Sequence, residues 1–318
     1  MGSNTRRGDR GPRTRGTKRA APAKAPKPPR HVTTPRSPTL IRVRDIMTRH
    51  PVTARLPGTR TDVLRLLVKN KITGVPVVRA DGVLAGFVAR HHLFAKPEEE
   101  QLALVMVRDY PSIDARASVQ ELARTLVDGD LHHLPVVERG KLVGIVTPAD
   151  LMDVIADMGI ERPVEEIVRT PCVAVHEGTP INVASHISRL GKVFALPVLD
   201  DETHLVGILT DRDIFSLSAI DRKAAAVELG LAGDEDAWNS EGLRNVMRLA
   251  WEERKIDLPR TPVRDVMIRN PVTVFRKTSV SHAARLMDQH DFGQLPIVDA
   301  RDGLFAMVYE LDVVSVLG

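Results

Sequence analysis

The sequence predicts an α+β fold in which one strand–helix–strand–strand–helix unit is used four times. Each copy contains an apolar–proline–apolar strand, a second apolar strand and a short turn. The four prolines are Pro76, Pro135, Pro197 and Pro296, and the turns end at His92, Asp150, Asp213 and Asp312. Each proline lies 15 or 16 residues before its turn end, and 17 or 18 residues after a hydroxyl residue that can cap a helix. Spacings this regular indicate one supersecondary unit that is repeated.

The first repeat covers roughly residues 41–95. Thr59 is the expected helix cap, and Asp62 three residues later completes a variant of the capping box. Strands are expected over 75–78 and 84–88, with Asp81-Gly82 in the hairpin turn between them.

The second repeat, roughly 107–156, has the clearest pattern. Ser118 and Glu121 form a capping box, and apolar residues then recur at helical spacing. Strands are expected over 134–138 and 141–146, and a helix over 148–158.

The third repeat (163–220) and the fourth (262–317) show the same order of elements. We expect Thr179 to cap the first helix of the third repeat, with Pro180 at the first helical position, where its missing N–H costs nothing. Thr278 is the corresponding cap in the fourth repeat. The fourth repeat opens on Val263-Arg264-Asp265, which matches Val43-Arg44-Asp45 in the first.

An insertion of about residues 221–260 separates the third and fourth repeats. A helical stripe runs through it, formed by Leu243, Val246, Met247, Ala250 and Trp251. We interpret the stripe as a helix packed on the body of the protein, with a partner-binding helix as the alternative.

Composition narrows the class of protein. Aromatic residues make up only 3% of the chain, so the core must be aliphatic. The one cysteine, Cys172, excludes an internal disulfide and a cysteine-cluster metal site, and we expect it to serve packing. No N-terminal apolar stretch or long uncharged apolar run occurs, so we expect a cytoplasmic protein without a signal peptide or membrane span.

Charge is distributed unevenly along the chain. Residues 1–30 contain ten Lys or Arg and one acid, whereas the remainder carries more acidic than basic residues. Residues 1–40 contain few large apolar side chains and cannot offset the entropy of ordering, so they are expected to be a disordered basic tail. Such a tail suggests a polyanionic partner.

The repeated unit, with its Pro-centred strand and Gly-x-x-Thr-x-x-Asp turn, resembles the CBS domain family. The resemblance covers nearly all of residues 41–317. It implies that the repeats pair into two Bateman modules, which we call the first module (residues 41–158) and the second module (159–318). Similar four-repeat proteins include archaeal members and the gamma subunit of AMP-activated kinase. The family implies a non-catalytic sensor that needs no cofactor and binds AMP, ADP, ATP or an S-adenosyl compound between paired repeats.

The turns supply the candidate ligand residues. An aspartate at a helix N-terminus can accept hydrogen bonds from two vicinal ribose hydroxyls, and a threonine three residues earlier adds a donor and an acceptor. The resemblance places Thr147 and Asp150 at this position in the second repeat, and Thr210 and Asp213 in the third. Gly144 and Gly207 are expected to let the backbone approach a ligand. The alternative is a purely structural role, in which each aspartate only caps a helix.

The remaining candidates are weaker. Arg212 could contact phosphate, and so could His133, although a solvated or core-edge histidine is the alternative. Asp312 is a possible ribose ligand, but Tyr309 and Ala306 replace the usual Thr and Gly, and the first repeat ends at His92 without a carboxylate. Thr53 and Thr273 could flank an adenine ring or simply be strand threonines.

Other chemistry has little support in the sequence. The pairs His91-His92 and His132-His133 lack a third ligand at useful spacing, so no metal site is expected. No phosphate-binding loop, nucleophile elbow or metalloprotease motif is present, and we therefore expect no enzyme activity.

A second hypothesis makes the protein an RNA- or ribosome-associated factor, for example in translation inhibition or ribosome hibernation. It rests on the basic tail, whose candidate phosphate contacts are Arg6, Arg7, Arg10, Arg13, Arg15, Lys18 and Arg19. A solubilising arm is the alternative. A client enzyme and a homodimer are further possible partners.

Overall fold

The structure, a computed structural model, describes residues 41–70, 72–89, 92–93, 99–193, 195–210, 213, 260–301 and 303–318. The predictions for the basic tail, for Arg212 and for the helical stripe of the insertion lie outside these residues. All four repeats can be followed, and each contains a small sheet in which a helix connects the first short strand to the hairpin that follows.

The first repeat opens on a short helix and contains one long helix and a hairpin. Its elements are α1 (Val43–Ile46), β1 (Thr48–Arg49), β2 (Ala54–Arg55), α2 (Arg60–Asn70), β3 (Gly74–Val78) and β4 (Leu84–Ala89).

The second repeat has the same order of elements, and its second helix lies within the described residues. Its elements are α3 (Leu102–Val105), β5 (Ile113–Asp114), α4 (Val119–Asp128), β6 (Leu134–Glu138), β7 (Lys141–Val146), a 3-10 turn (Pro148–Leu151) and α5 (Met152–Asp157).

The third and fourth repeats each open on a 3-10 turn, Val164–Glu166 and Val263–Asp265. The third repeat contains β8 (Val175–His176), α6 (Ile181–Gly191), β9 (Ala195–Leu199) and β10 (Leu205–Thr210). The fourth contains β11 (Ile268–Arg269), β12 (Val274–Phe275), α7 (Val280–His290), β13 (Gln294–Val298), β14 (Leu304–Tyr309) and α8 (Glu310–Val314), and it ends in a 3-10 turn (Ser315–Leu317).

Two of the four predicted helix caps are wrong by one residue. Ser118 caps α4 as expected, and Thr59 exchanges bonds with Asp62 just before α2. Pro180, not Thr179, is the cap of α6, and Ser279, not Thr278, caps α7 by accepting the N–H of His282. The Thr278 hydroxyl instead accepts the N–H of Phe275 at 3.0 Å and holds the preceding turn.

Each repeat exchanges its opening segment with a partner repeat. Strand β1 of the first repeat pairs with β7 of the second, and β11 of the fourth pairs with β10 of the third. The N–H of Val43 donates to Ala117 O at 3.0 Å, and the N–H of Val263 donates to Thr179 O at 2.8 Å. The exchange gives sheet orders β1-β7-β6-β5 and β11-β10-β9-β8, beside the three-stranded sheets β2-β3-β4 and β12-β13-β14.

Contacts at the hairpin turns join the same pairs of repeats. The N–H of Leu84 donates to Gly140 O, and the N–H of Leu142 donates to Gly82 O, both at 3.1 Å. In the second module a β-bridge joins His204 to Gly303. The predicted α+β fold of four β-α-β-β-α repeats is confirmed.

The apolar core is unevenly shared among the repeats. Second- and fourth-repeat side chains form one cluster, in which Leu126 and Ile155 pack with Ala284 and Val308. The Ser281 hydroxyl of α7 donates to Ile155 O of α5 at 2.5 Å and accepts the N–H of Ile160 at 2.8 Å. The described side chains of the first and third repeats form two separate clusters. The two modules are therefore joined mainly through the second and fourth repeats in the described part of the chain.

Candidate functional site

All four turns share one backbone frame. The side chain that ends each turn accepts the backbone N–H of the residue three positions earlier, and three of these side chains are aspartates. The distances are 2.8 Å for Thr147 N to Asp150, 2.9 Å for Thr210 N to Asp213, 2.9 Å for Tyr309 N to Asp312, and 3.0 Å for Ala89 N to His92 Nδ1. A carboxylate is therefore not needed to close the turn, because the ring nitrogen of His92 does the same.

The second and third repeats carry the full threonine–aspartate pair. The hydroxyl of Thr147 donates to Asp150 Oδ2 at 3.0 Å, and that of Thr210 donates to Asp213 Oδ2 at 2.6 Å. Both bonds within each pair arrive at the same carboxylate oxygen, and all four residues are half-buried. The two aspartates are thus held by their own turns at the end of a strand.

Asp312 differs from Asp150 and Asp213 in its burial and in its hydrogen bonds. It is only 2% exposed, its Oδ2 accepts the N–H of Tyr309, and its Oδ1 accepts the N–H of Arg169 at 3.1 Å. Burial raises its pKa, while the two backbone N–H bonds act in the opposite direction. Because both oxygens hold protein backbone, Asp312 ties the opening segment of the third repeat to the fourth repeat, and its predicted contact with a ribose stays a prediction.

The glycines before the turns also serve packing rather than a ligand. A Cβ at Gly144 would lie 2.4 Å from Met47 Sδ, and one at Gly207 would lie 2.5 Å from Met267 Sδ. These methionines belong to the exchanged opening segments. The fourth repeat has Ala306 at the position of Gly207, and the corresponding opening segment has Val168 in place of Met267. The larger residue at position 306 is thus accompanied by a smaller one at position 168.

The residue two positions before each strand proline lies across from the turn. Ala195 pairs with Thr210, and Gln294 pairs with Tyr309. The pairing of Leu134 with Val146 places His133 beside Thr147 in the same way. This position therefore lies beside the turn, and the predicted phosphate contact of His133 stays a prediction.

His133 is, however, engaged inside the first module. Its Nε2 lies 2.8 Å from the Thr73 hydroxyl, and its carbonyl accepts the hydroxyl of Tyr110 at 3.1 Å. The ring of Phe87 stacks on Tyr110 with 4.4 Å between centroids and lies 5.6 Å from the His133 ring. Aromatic side chains thus fill the centre of the first module. Sequence reasoning missed Phe87 and Tyr110, although two rings in one module of an aromatic-poor chain were a usable signal.

The centre of the second module is lined differently. Ala195, Ile208 and Met307 form a small buried cluster, against which Cys172 and Tyr309 pack. The Tyr309 hydroxyl is buried and has no hydrogen-bond partner in the described structure. Burial chiefly raises the pKa of Tyr309 to about 12, and it also raises the pKa of the Cys172 thiol, so both groups stay neutral near pH 7.

Thr53 and Thr273 lie directly before the short strands β2 and β12 and are half-buried. Their predicted place beside an adenine ring remains a prediction. Of the histidines considered for a metal, His92 and His133 make the contacts given above.

One cluster with metal-ligand side chains occurs among the described residues, at the β9–β10 turn. It consists of Asp200, Glu202 and His204. Asp200 Oδ1 accepts the N–H groups of Glu202 and His204, and Asp299 Oδ1 accepts those of Arg301 and Gly303 at the equivalent turn. The turn therefore forms in the same way where no histidine is present, which accounts for the cluster without an ion.

Comparison with known proteins agrees with this architecture. The chain is 24% identical over 195 residues to the uncharacterized protein MJ1225 of Methanocaldococcus jannaschii, an alignment that covers 56% of this chain and 70% of that protein. The crystal structure of MJ1225, described as a proposed archaeal homolog of g-AMPK, matches with a TM-score of 0.63 and 18% identity. It covers 87% of this chain and 100% of that chain.

Two further relatives mark the range of proteins that share the fold. An uncharacterized conserved protein from Pyrococcus horikoshii matches with a TM-score of 0.64 and 24% identity, covering 87% of this chain and 100% of that one. The L-aspartate semialdehyde sulfurtransferase of M. jannaschii is 35% identical over 127 residues, which are 38% of this chain but only 24% of that protein.

No helix within the described residues is long and apolar enough to cross a bilayer. The model of the CBS domain matches four times, at residues 43–99, 101–157, 164–219 and 263–318. These are the four repeats found in the sequence and the structure, and the chain belongs to the CBS domain family.

Proposed function

We propose that the protein is a non-catalytic regulatory sensor that binds an adenosine-containing ligand, AMP, ADP, ATP or an S-adenosyl compound, beside Asp150 and Asp213. The observation that carries the proposal is the contrast among the four turns. In the second and third repeats the threonine–aspartate pair is half-buried and locally held, whereas Asp312 is buried against backbone and His92 replaces the carboxylate.

The chemistry of the pair suits a ribose. A carboxylate held by its own turn has little orientation left to lose when it accepts two vicinal hydroxyls, and charge-assisted bonds of this kind are stronger than neutral ones. Each proposed site lies in a different module, so ligand binding could bias the packing of both. Membership of the CBS domain family supports this reading, as does the description of MJ1225 as a homolog of g-AMPK.

Calorimetric titration of the full chain with AMP, ATP and S-adenosylmethionine tests the proposal. We expect at least one of them to bind, and Asp150→Asn and Asp213→Asn each to weaken one site about tenfold or more, because one charge-assisted bond contributes about 1.5–3 kcal/mol. Asp128→Asn, on the exposed end of α4, is the matched control and should bind like the unmodified protein. Absence of heat with all three ligands would refute the proposal, and so would binding that neither substitution changes.

The basic tail supports a second hypothesis, association with RNA or ribosomes. Its support is the ten Lys or Arg residues against one acid in residues 1–30. A full chain in which the seven candidate residues from Arg6 to Arg19 are replaced by Gln should lose co-sedimentation with ribosomes, and binding of the unmodified chain should weaken steeply with salt. Equal co-sedimentation of both chains would remove the tail from this role.

A further inference from the structure

The chain has two tyrosines, and one lies at the centre of each module. Tyr110 is satisfied, since its hydroxyl donates to His133 O at 3.1 Å. Tyr309 is not, because its buried hydroxyl has no partner among the described residues. A buried, unpaired hydroxyl is destabilising, and native structures seldom keep one without a reason.

Tyr309 occupies the position at which the second and third repeats have threonine. Its backbone N–H still closes the turn of the fourth repeat on Asp312. Its ring, however, packs on Ala195, Ile208 and Met307, together with Cys172. Three of these four residues belong to the third repeat, so the side chain of Tyr309 crosses from the fourth repeat to the third.

The surface that Tyr309 reaches adjoins the proposed ligand site of the third repeat. Ala195 is the register partner of Thr210, whose hydroxyl is bonded to Asp213. Cys172 lies on the segment that leads into β8 of the same repeat and is close enough to influence the ionisation of Tyr309. The unpaired hydroxyl therefore belongs to a ring that packs beside the end of β10, the strand end that Asp213 holds.

The side chains next to this hydroxyl are small and uncharged. Ala195 and Cys172 occupy the positions at which the first module has His133 and Tyr110, so the rings that fill the first module are missing here. The neutral hydroxyl and thiol provide no charge for a phosphate. A neutral donor on an apolar wall instead suits a ring nitrogen of a base, because a purine has a flat apolar face and acceptor nitrogens at its edge.

We propose that Tyr309 is a specificity-determining residue, whose hydroxyl donates a hydrogen bond to a ring nitrogen of the purine of a ligand held through its ribose at Asp213. This inference rests on the proposed function and assigns the base contact of its third-repeat site to a residue of the fourth repeat. Tyrosine in place of threonine at position 309 then adds a contact with the base to the ligand site of the third repeat.

The variant Tyr309→Phe removes the hydroxyl and leaves the ring. We expect the ligand that binds among AMP, ATP and S-adenosylmethionine to bind the third-repeat site about three- to tenfold more weakly, as the loss of one neutral hydrogen bond implies. The ligand-free variant should unfold at the same or a higher urea concentration. A purely structural role predicts instead that affinity stays the same or falls together with stability.

Tyr110→Phe is the matched control, since it makes the same chemical change in the first module and should leave affinity at the third-repeat site unchanged. A spectroscopic readout is available in the full chain labelled with 3-fluorotyrosine, whose two ¹⁹F signals are assigned with the two variants. Ligand should shift the Tyr309 signal, and Asp213→Asn should abolish that shift.

The outcomes separate the two proposals. If the unmodified chain binds none of the three ligands, the proposed function fails and this inference fails with it. If the chain binds and loses affinity in Asp213→Asn but not in Tyr309→Phe, only this inference is overturned, and the hydroxyl then meets no more than a buried water.

Discussion

The two modules use the same frame, but their centres are filled by different side chains. In the first module Phe87 is fully buried and stacks on Tyr110, and Gly74 makes room for it, since a Cβ there would lie 2.7 Å from the Phe87 ring. At the positions of Phe87 and Tyr110 the second module has Met307 and Cys172. The difference teaches that one backbone frame can hold centres of different packing, because the frame fixes where the centre lies and side-chain size decides how it is filled.

The largest expected effect tests whether the aromatic centre holds the first module together. Phe87→Ala should lower the free energy of unfolding by about 3–5 kcal/mol, because it removes a fully buried ring and the stacking on Tyr110. Met307→Ala is the matched change in the second module and should cost about 1 kcal/mol less, since no ring pair is lost. Urea denaturation measures both, and a larger loss for Met307→Ala would break the comparison.

A smaller effect concerns the glycines that receive the exchanged segments. In Gly86→Ala the new Cβ would lie 2.4 Å from Val107 O, a backbone atom held by hydrogen bonds with Phe87, so we expect a loss of about 2–3 kcal/mol. In Gly207→Ala the nearest atom is Sδ of Met267, a flexible side chain, and the loss should be only about 1 kcal/mol.

The pairing of Ala306 with Val168 in the fourth repeat suggests a rescue. Adding Met267→Val to Gly207→Ala should recover part of the lost stability, as measured by thermal unfolding. If the double variant is less stable than the sum of the two single changes predicts, the compensation that we infer for the fourth repeat is wrong.

The junction between the modules should respond to pH. Burial, together with the charges of Asp291 and Asp150, raises the pKa of Glu310 to about 7. The unfolded chain releases this proton at lower pH than the folded one, so stability should fall as pH rises from about 4.5 to about 7, by on the order of 1–3 kcal/mol. Burial also raises the pKa of Asp312, which adds to the fall in the same direction.

Glu310→Gln isolates this contribution, because the amide cannot ionise. The variant should match the unmodified protein near pH 4.5 and be more stable than it at pH 8, as read from urea midpoints. Glu161→Gln, at an exposed position outside the turns, is the control and should keep the original pH dependence. An equal decline with pH in Glu310→Gln and in the unmodified chain would contradict the assignment.

The smallest expected effect compares the two tyrosines in the absence of ligand. Tyr110→Phe leaves the carbonyl of His133 without its donor and should cost about 0.5–1.5 kcal/mol. Tyr309→Phe removes an unpaired hydroxyl and should cost nothing or stabilise the protein. Equal losses in both variants would show that the two centres are more alike than their hydrogen bonds indicate.

Much of the fold could be predicted because its signals are local. The strands of the second repeat were predicted at 134–138 and 141–146, as observed, since apolar runs on either side of the Arg139-Gly140 turn mark them directly. Two caps were misplaced because several residues near each helix start can cap it, and the choice depends on which hydroxyl a neighbouring turn already uses. With the observed caps, the distance from cap to strand proline is 17 residues in all four repeats.

The candidate site was only partly predictable. Thr147, Asp150, Thr210 and Asp213 form the expected turns, because all the bonds within each turn join residues three positions apart. The role of Asp312 could not be read in the same way, since its second oxygen is occupied by Arg169, which lies 143 positions away in the sequence. The roles of Gly144 and Gly207 were also misjudged, because the residues that contact them come from exchanged segments that are distant in the sequence.

The sequence by itself determined the number of repeats, the order of their elements and the position of each turn, because these depend on local periodicity and spacing. Only the tertiary structure decided which repeats share a core, which aspartate has both oxygens bonded to backbone, and which side chains fill the centre of each module. Those outcomes depend on contacts between residues far apart in the chain, whose partners are brought together by the exchange of segments and by close packing.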